Sequence, residues 1–381
     1  MAERSGSRRT LAFILVGVGV FLLVGALLVP TYTVNRVAKT PLDLEITTVA
    51  ATPSEGGEVL NSATLTSGTG PARVDTSVPM VSQRFLTVEE PSDADKMTIQ
   101  AGTTLRRTDK QGDTGLLTAS VDRVTIDRRT GMPMDDPVGS IQVEGNRPAE
   151  EVSHTGLQYR FPFDTEQKTY PYFDINARQT FDMNFVEETE INGTKVYHFN
   201  HKIEPVDLSK VVNSPTNRLS LPAAKWGVEG GNAPVTMTRW YANERDLWVE
   251  PQTGVVVKGQ EKPYQFYARS ADRPELTVLR ADLTFDENTV ESQLQTAKDG
   301  ADRLSMFGRI IPIILGVLGL IALALGLVLG LRRGRGPKTP ADAASPTGPS
   351  DAATTQAPPA TRHDWTDDKT EEIPLSRDRR P

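Results

Sequence analysis

The chain has 381 residues, 38% of them hydrophobic and 24% charged, with a formal net charge of −7. It contains no cysteine, which excludes disulfides and thiolate metal sites and suits a bacterial envelope better than a vertebrate secretory space. Residues 31–309 carry 30 basic and 40 acidic side chains, a net of about −10, and a surface of that sign excludes nucleic acid as a partner.

The first element is an uncharged run at 11–29, LAFILVGVGVFLLVGALLV, closed by Pro30. It exceeds the roughly 7–15 apolar residues of a signal peptide and ends on no A-x-A site, so an uncleaved transmembrane anchor over 11–30 is expected. Its counterpart is 310–331, IIPIILGVLGLIALALGLVLGL, again uncharged. At about 1.5 Å per residue it is long enough to cross roughly 30 Å of hydrocarbon. Arg4, Arg8 and Arg9 precede the first run, and Arg332, Arg333, Arg335 and Lys338 follow the second. Positive flanks stay inside, so both termini (1–10 and 332–381) are expected in the cytoplasm and 31–309 outside the plasma membrane. Gly316, Gly319, Gly326 and Gly330 would let the two spans approach closely.

Between the spans the chain reads mainly as strands. Residues 53–72, rich in Gly, Ser and Thr, read as a loop or an irregular strand. Residues 121–126 alternate and run into DRRTG at 127–131; 247–249 run into EPQTG at 250–254, followed by Val255, Val256 and Val257. Both units look like one piece of hairpin chemistry used twice, with glycine in the left-handed position. The clearest hairpin is 181–203, turning at Asn192-Gly193. That turn pairs Ile191 with Thr194, Glu190 with Lys195, Glu187 with His198 and Val186 with Phe199. His198 and His201 then fall on opposite faces, as an odd separation in a strand requires. A helix begins near Asn288, the expected N-cap, with Val290, Leu294, Ala297, Ala301 and Leu304 at helical spacing. It is able to run into the second span, with bends at Gly300, Gly308 and Pro312. From Arg332 onward, Pro, Ala, Thr and Asp predict a disordered tail with Thr366 and Thr370 as candidate phosphorylation sites.

The most distinctive stretch is GLQYRFPFDTEQKTYPYFDI at 156–175, which holds six of the 24 aromatic residues. In a strand, Tyr159, Phe161 and Phe163 would share one face, while Pro162 marks an edge or a bulge. Such a cluster is a sheet core, the wall of a cavity for an apolar ligand, or a membrane contact. The candidate wall residues are Tyr159, Phe161, Phe163, Tyr172 and Phe173. No nucleophile elbow, phosphate loop or zincin helix occurs, so no catalytic residue, metal site or cofactor is expected.

GLQYRFPFDTEQKTYPYFD, INGTKVYHF and RWYANERDLWVEPQTGVVVKGQEK, lying between two spans, closely resemble the actinobacterial PorA family. The resemblance covers nearly the whole chain except the tail and implies a cell-wall channel; it brings no active-site motif. The two terminal spans around one β-rich ectodomain are also similar in topology to the class B scavenger receptors. The expected fold is therefore mainly β, with a barrel-like ectodomain enclosing a cavity, between two transmembrane helices. The expected function is non-enzymatic binding or transfer of a lipid or other apolar molecule in the cell envelope. An oligomeric, porin-like channel and a scaffold binding cell-wall polymer or a partner protein stand as alternatives. The implied partners are membrane lipids, with further copies of the chain and cell-wall components as open options.

Overall fold

The computed structural model describes residues 3–67 and 70–331, with the backbone alone for 3–8, 34 and 35. The expected tail at 332–381, with Thr366 and Thr370, lies outside the described residues.

Both apolar runs are helical. The first helix spans Glu3–Leu28, followed by a widened turn, Val29–Thr33, and a single α-turn, Val34–Val37. The last is a 45-residue rod in three parts: Glu287–Ser305, a widened turn Met306–Ile310, and Ile311–Leu331. The widened turn sits where Pro312 has no amide hydrogen to donate back to it, which loosens the ladder there. The expected cap at Asn288 is corrected to Asp286, whose carboxylate accepts from Thr289 N at 2.8 Å. An ionised side chain at this end also meets the positive pole of the helix.

The two long helices pack backbone against backbone. A Cβ added at Gly19 would lie 2.8 Å from Leu323 N, and one at Gly319 3.0 Å from Gly19 O. At Gly326 it would lie 2.8 Å from Val16 Cγ2. Two of the four expected glycines thus make the close approach; Gly316 and Gly330 leave ordinary contacts of 3.9 and 3.8 Å. The outward faces stay open, with Phe13 76% and Leu331 77% exposed. A lipid environment suits such faces.

The rest is antiparallel sheet. Its spine is the 17-residue strand Pro234–Glu250, which carries two partners along each edge. Thr194–Asp207 and Arg218–Pro222 share one edge; Val255–Glu261 and Tyr264–Ala268 share the other. From Val255–Glu261 the pairing continues through Leu283–Phe285 to Glu45–Ala51, Met80–Glu89, Lys96–Arg107 and Leu116–Asp127. From Tyr264–Ala268 it continues through Leu276–Arg280 to Gly57–Asn61 and Arg73–Val78. The arms diverge from one spine and do not rejoin among the described residues, so the expected barrel-like closure is absent and the sheet is open.

Asn192 and Gly193 both take positive φ, 49° and 73°, and the hairpin register runs as expected from Ile191↔Thr194 to Glu187↔His198. There a bulge intervenes, and Phe199 faces Phe185 instead of Val186. The extra residue leaves Val186 exposed and turns Phe185 onto Phe199, at 5.8 Å between ring centroids.

Candidate functional site

The aromatic stretch is built differently from the expected strand. Between Glu150–Glu151 and Tyr170–Asp174 the chain is irregular apart from one bridge, Leu157↔Tyr172. Pro162 cannot donate to a ladder, and neighbouring amides are taken by two separate turns. Phe161 N donates to Gly254 O at 2.9 Å, and Phe163 N donates to Arg129 O at 3.0 Å.

Those turns are the two Thr-Gly units noted in the sequence, and they share one construction. Asp127 Oδ1 accepts from the amides of Arg129 and Thr130, at 2.9 and 2.7 Å. Glu250 accepts in the same way from Gln252 and Thr253, at 3.0 and 2.9 Å. Gly131 and Gly254 close them at φ 70° and 71°. Glycine is required at 254 twice over, since a Cβ there would lie 2.1 Å from Phe161 O.

Clasped between the turns, residues 159–163 straddle two cores. Phe161 is fully buried with Leu157, Tyr170, Tyr172, Met183 and Phe199, its ring 4.7 Å from that of Phe199. Tyr172 donates its hydroxyl to Gln158 O. Phe173 is buried against the His154 imidazole at 4.4 Å. Tyr159 turns the other way, onto the cluster of Leu86, Met97 and Ile99. Its hydroxyl donates to buried Asp122, which also meets His154 Nε2 at 3.0 Å. Burial first, and then the Asp122 charge, push the Tyr159 hydroxyl well above the ordinary phenol range.

Tyr159 and Phe163 line a cavity of about 280 Å³. Its roof is the helix Glu287–Ser305, through Gln293, Thr296, Gly300 and Leu304. Gly300 permits that helix to close over the second turn, because a Cβ would lie 2.8 Å from Thr253 Cγ2. The floor is Leu44, Ile46, Leu86, Ile99, Val255 and Val256. Val37 and Lys39, just after the first long apolar helix, complete the rim. The cavity therefore sits where both long apolar helices meet the sheet. Phe161, Tyr172 and Phe173, the other three expected wall residues, are core side chains outside this lining.

Sequence reasoning did not reach the remaining lining residues. Arg160, Lys39, Asp299 and Arg303 carry no motif. The helical spacing at 290–304 marked the buried Leu294 and Ala297, and so pointed to the roof without showing the space beneath it. A larger depression of about 520 Å³ lies among Glu55, Glu58, Lys262, Arg280 and Asp282. Its side chains are mostly charged, of both signs, with only Tyr264 and Ala281 apolar, so it is the weaker candidate.

A second buried polar group lies deeper in the sheet. Arg245 spans Asp174 and Glu261, at 3.1 and 3.0 Å, and donates to His201 Nδ1 at 3.3 Å. Burial, followed by the Arg245 charge, lowers the His201 pKa to about 4. His198 occupies the other face, bonded to Asp246 at 2.8 Å and stacked on Trp248 at 4.6 Å. Both histidines thus have structural partners, and no cluster of three metal-ligating side chains occurs among the described residues.

Comparison with known proteins agrees with the architecture. The family model described as Porin PorA matches residues 11–328, spanning both helices and the whole sheet. A protein named Porin PorA from Corynebacterium amycolatum is 31% identical over 380 residues, covering 84% of this chain and 98% of its own. Another of that name, from Corynebacterium resistens, is 31% identical over 407 residues, covering 86% and 98%. With two apolar helices of membrane-spanning length and a match across nearly all of the described residues, the chain belongs to the PorA porin family.

Proposed function

We propose that this chain is a non-enzymatic envelope protein that forms a channel only as an assembly of copies. The observation that carries this reading is the 31% identity, across almost their full length, to two proteins named as porins. The geometry constrains how such a channel is built. An outer-membrane type of pore needs a closed ring of strands with a lipid-facing apolar band. Here the sheet is open and the two helices touch at Gly19 and Gly319 with no room for a lumen between them. A conducting path therefore runs between copies, using helix faces that one copy leaves exposed. On this reading the basic flanks favour both termini in the cytoplasm and the sheet outside it. Stepwise conductance of the purified full chain in planar bilayers tests the reading. Chain that is assembled by light scattering yet gives no steps at any voltage would overturn it.

A second reading rests on one specific observation, the apolar cavity beside the membrane helices. It is the kind of site that receives an apolar or amphipathic molecule, with burial contributing about 25 cal/mol per Å². On this reading the chain binds or hands on such a molecule at the membrane surface. Tyr159 and Phe163 contribute the aromatic wall, and Phe161, Tyr172 and Phe173 support it from the core behind.

A further inference from the structure

The cavity contains a group that an apolar wall does not need. Arg160 lies half-buried in its lining, and among the described residues every hydrogen-bond partner of its guanidinium is neutral. Nε donates to Phe161 O at 3.2 Å, Nη2 to Thr253 O at 2.6 Å, and Nη1 to the Thr40 hydroxyl. The guanidinium lies over the Phe163 ring, 4.5 Å from its centroid. Among the described residues no carboxylate forms an ion pair with it. Burial, the sole cause, lowers its pKa to about 10, which still leaves the group charged at neutral pH. Of its five N–H donors, these three bonds use three.

A cation taken from water without a counter-charge is costly, and chains commonly remove that cost with a neighbouring carboxylate. The Arg245 guanidinium in this same molecule has two. Arg160 has none, and the other charges in the lining do not compensate it. Lys39 and Arg303 are cationic, Lys39 being held by Asp95 at 2.6 Å, and Asp299 is the one acidic lining residue. The lining thus combines an excess of positive charge with an apolar floor of Leu44, Ile46, Leu86, Ile99 and Val256. That is the complement of a molecule with one anionic end and one hydrocarbon end.

We propose that the cavity binds an amphiphile with an anionic headgroup, a carboxylate or phosphate, the head on Arg160 and the acyl chain along the apolar floor beneath the helix Glu287–Ser305. The inference rests on the reading of the cavity as occupied and adds the charge of its occupant. The space, about 280 Å³, equals roughly nine water volumes at ~30 Å³ each, enough for a short acyl chain or part of a longer one. Entry from the adjoining leaflet is direct, because Val37 and Leu304 in the lining stand at the ends of segments that lead into the two membrane helices.

The test uses the full chain in a neutral maltoside at pH 8 and titrates decanoate, methyl decanoate and acetate by calorimetry. Decanoate is expected to bind at least tenfold more tightly than the ester, and acetate not at all. Arg160→Gln should cut the acid-to-ester preference to within twofold, and Arg160→Lys should restore part of it. Val256→Trp, which fills the floor, should abolish binding of both chains. Equal binding of acid and ester to the unaltered chain would overturn the charge inference while leaving an occupied cavity. Binding of neither chain would overturn the occupied cavity itself. Acetate binding as well as decanoate would make this a free-anion site and remove the acyl chain from the proposal. If Arg160→Gln fails to fold, the acid-to-ester ratio of the unaltered chain and the Val256→Trp result decide the matter alone.

Discussion

Truncating two aromatic residues that are two positions apart should separate core from cavity. Phe161→Ala removes a ring with no exposed surface, held at 4.7 Å from Phe199, 5.5 Å from Tyr170 and 6.4 Å from Tyr172. A buried ring covers roughly 150–250 Å², which at about 25 cal/mol per Å² is roughly 4–6 kcal/mol of transfer free energy. Measured Phe→Ala changes in cores cost about 3–5 kcal/mol, so the two routes agree. For roughly 280 residues at about 2.1 cal/mol/K each, the unfolding entropy is about 0.6 kcal/mol/K, and the expected fall in Tm is about 5–8 °C. Phe163→Ala is different. Its ring is half-buried, faces the cavity and lies against Arg160, so its loss should lower Tm by no more than about 2 °C. The assay is thermal unfolding of the full chain in nonionic detergent, followed by near-ultraviolet circular dichroism. If Phe161→Ala melts with the parent while Phe163→Ala falls by several degrees, the division of this segment between core and cavity is wrong.

Three further outcomes follow from other parts of the molecule. His201 is buried with its pKa lowered to about 4, chiefly by burial and then by the facing Arg245, with Asp174 and Glu261 opposing. The unfolded chain binds the proton first. Stability from this group is therefore complete above about pH 6.5 and falls as pH drops towards 4, by at most about 3 kcal/mol. Glu261, lowered to about 2 despite its burial by Arg245 and Arg84, loses its contribution only below about pH 4.5. Tm measured from pH 7.5 to 4 should thus fall less steeply in His201→Gln than in the parent, and parallel curves would refute the assignment.

The helix pair offers a cross-link test in a chain with no cysteine of its own. A Cβ at Gly330 would lie 3.8 Å from that of Ala12, within the disulfide range of about 3.5–4.5 Å, so the double variant Ala12→Cys, Gly330→Cys should oxidise within one chain. Adding Gly319→Leu should prevent it. Finally, Asp286→Ala removes the cap of the helix that roofs the cavity and should cost about 1 kcal/mol, seen as faster amide exchange over 287–293.

The sequence showed best those features that local chemistry decides. Two charge-free runs of about twenty residues form long apolar helices, and Asn192-Gly193 sets a hairpin register by the backbone twist its residues allow. The hairpin register departs from that reading only where a tertiary contact intervenes. The register slips at Val186, because Phe185 gains Phe199 by moving onto its face. The cap moves from Asn288 to Asp286, a choice between neighbouring polar residues that the pattern leaves nearly level. Barrel closure was beyond reach for a different reason. It depends on whether two arms of a branched sheet meet, and no local spacing in either arm records that. The aromatic stretch lay between these cases. Its six rings announced a packing centre, while their division between two cores depended on turns about thirty residues before and ninety residues after.

Those turns also explain how a site arises at this place. DRRTG and EPQTG are built alike, each with an acidic residue accepting amides and a left-handed glycine, and each gives one backbone carbonyl to an amide of residues 159–163. A segment that contains Pro162 and pairs with no strand has no ladder to fix it, so this clasp is what holds Arg160 and Phe163 in the cavity lining. The clasp is also what brings Arg160 close to neutral carbonyls and a hydroxyl without a carboxylate. The helix Glu287–Ser305 then rests on the second turn through Gly300 and continues into the apolar helix Ile311–Leu331. Any movement of that helix within an assembly of copies would therefore reach the cavity through Thr253, which Gly300 touches and whose carbonyl Arg160 binds. Gly300→Ala should expose that coupling, because the added methyl would lie 2.8 Å from Thr253 Cγ2 and push the roof from the clasp. Decanoate affinity and conductance measured on this one variant should fall together if channel and cavity are coupled. A loss of either alone would mean that the two readings of this protein describe independent parts of it.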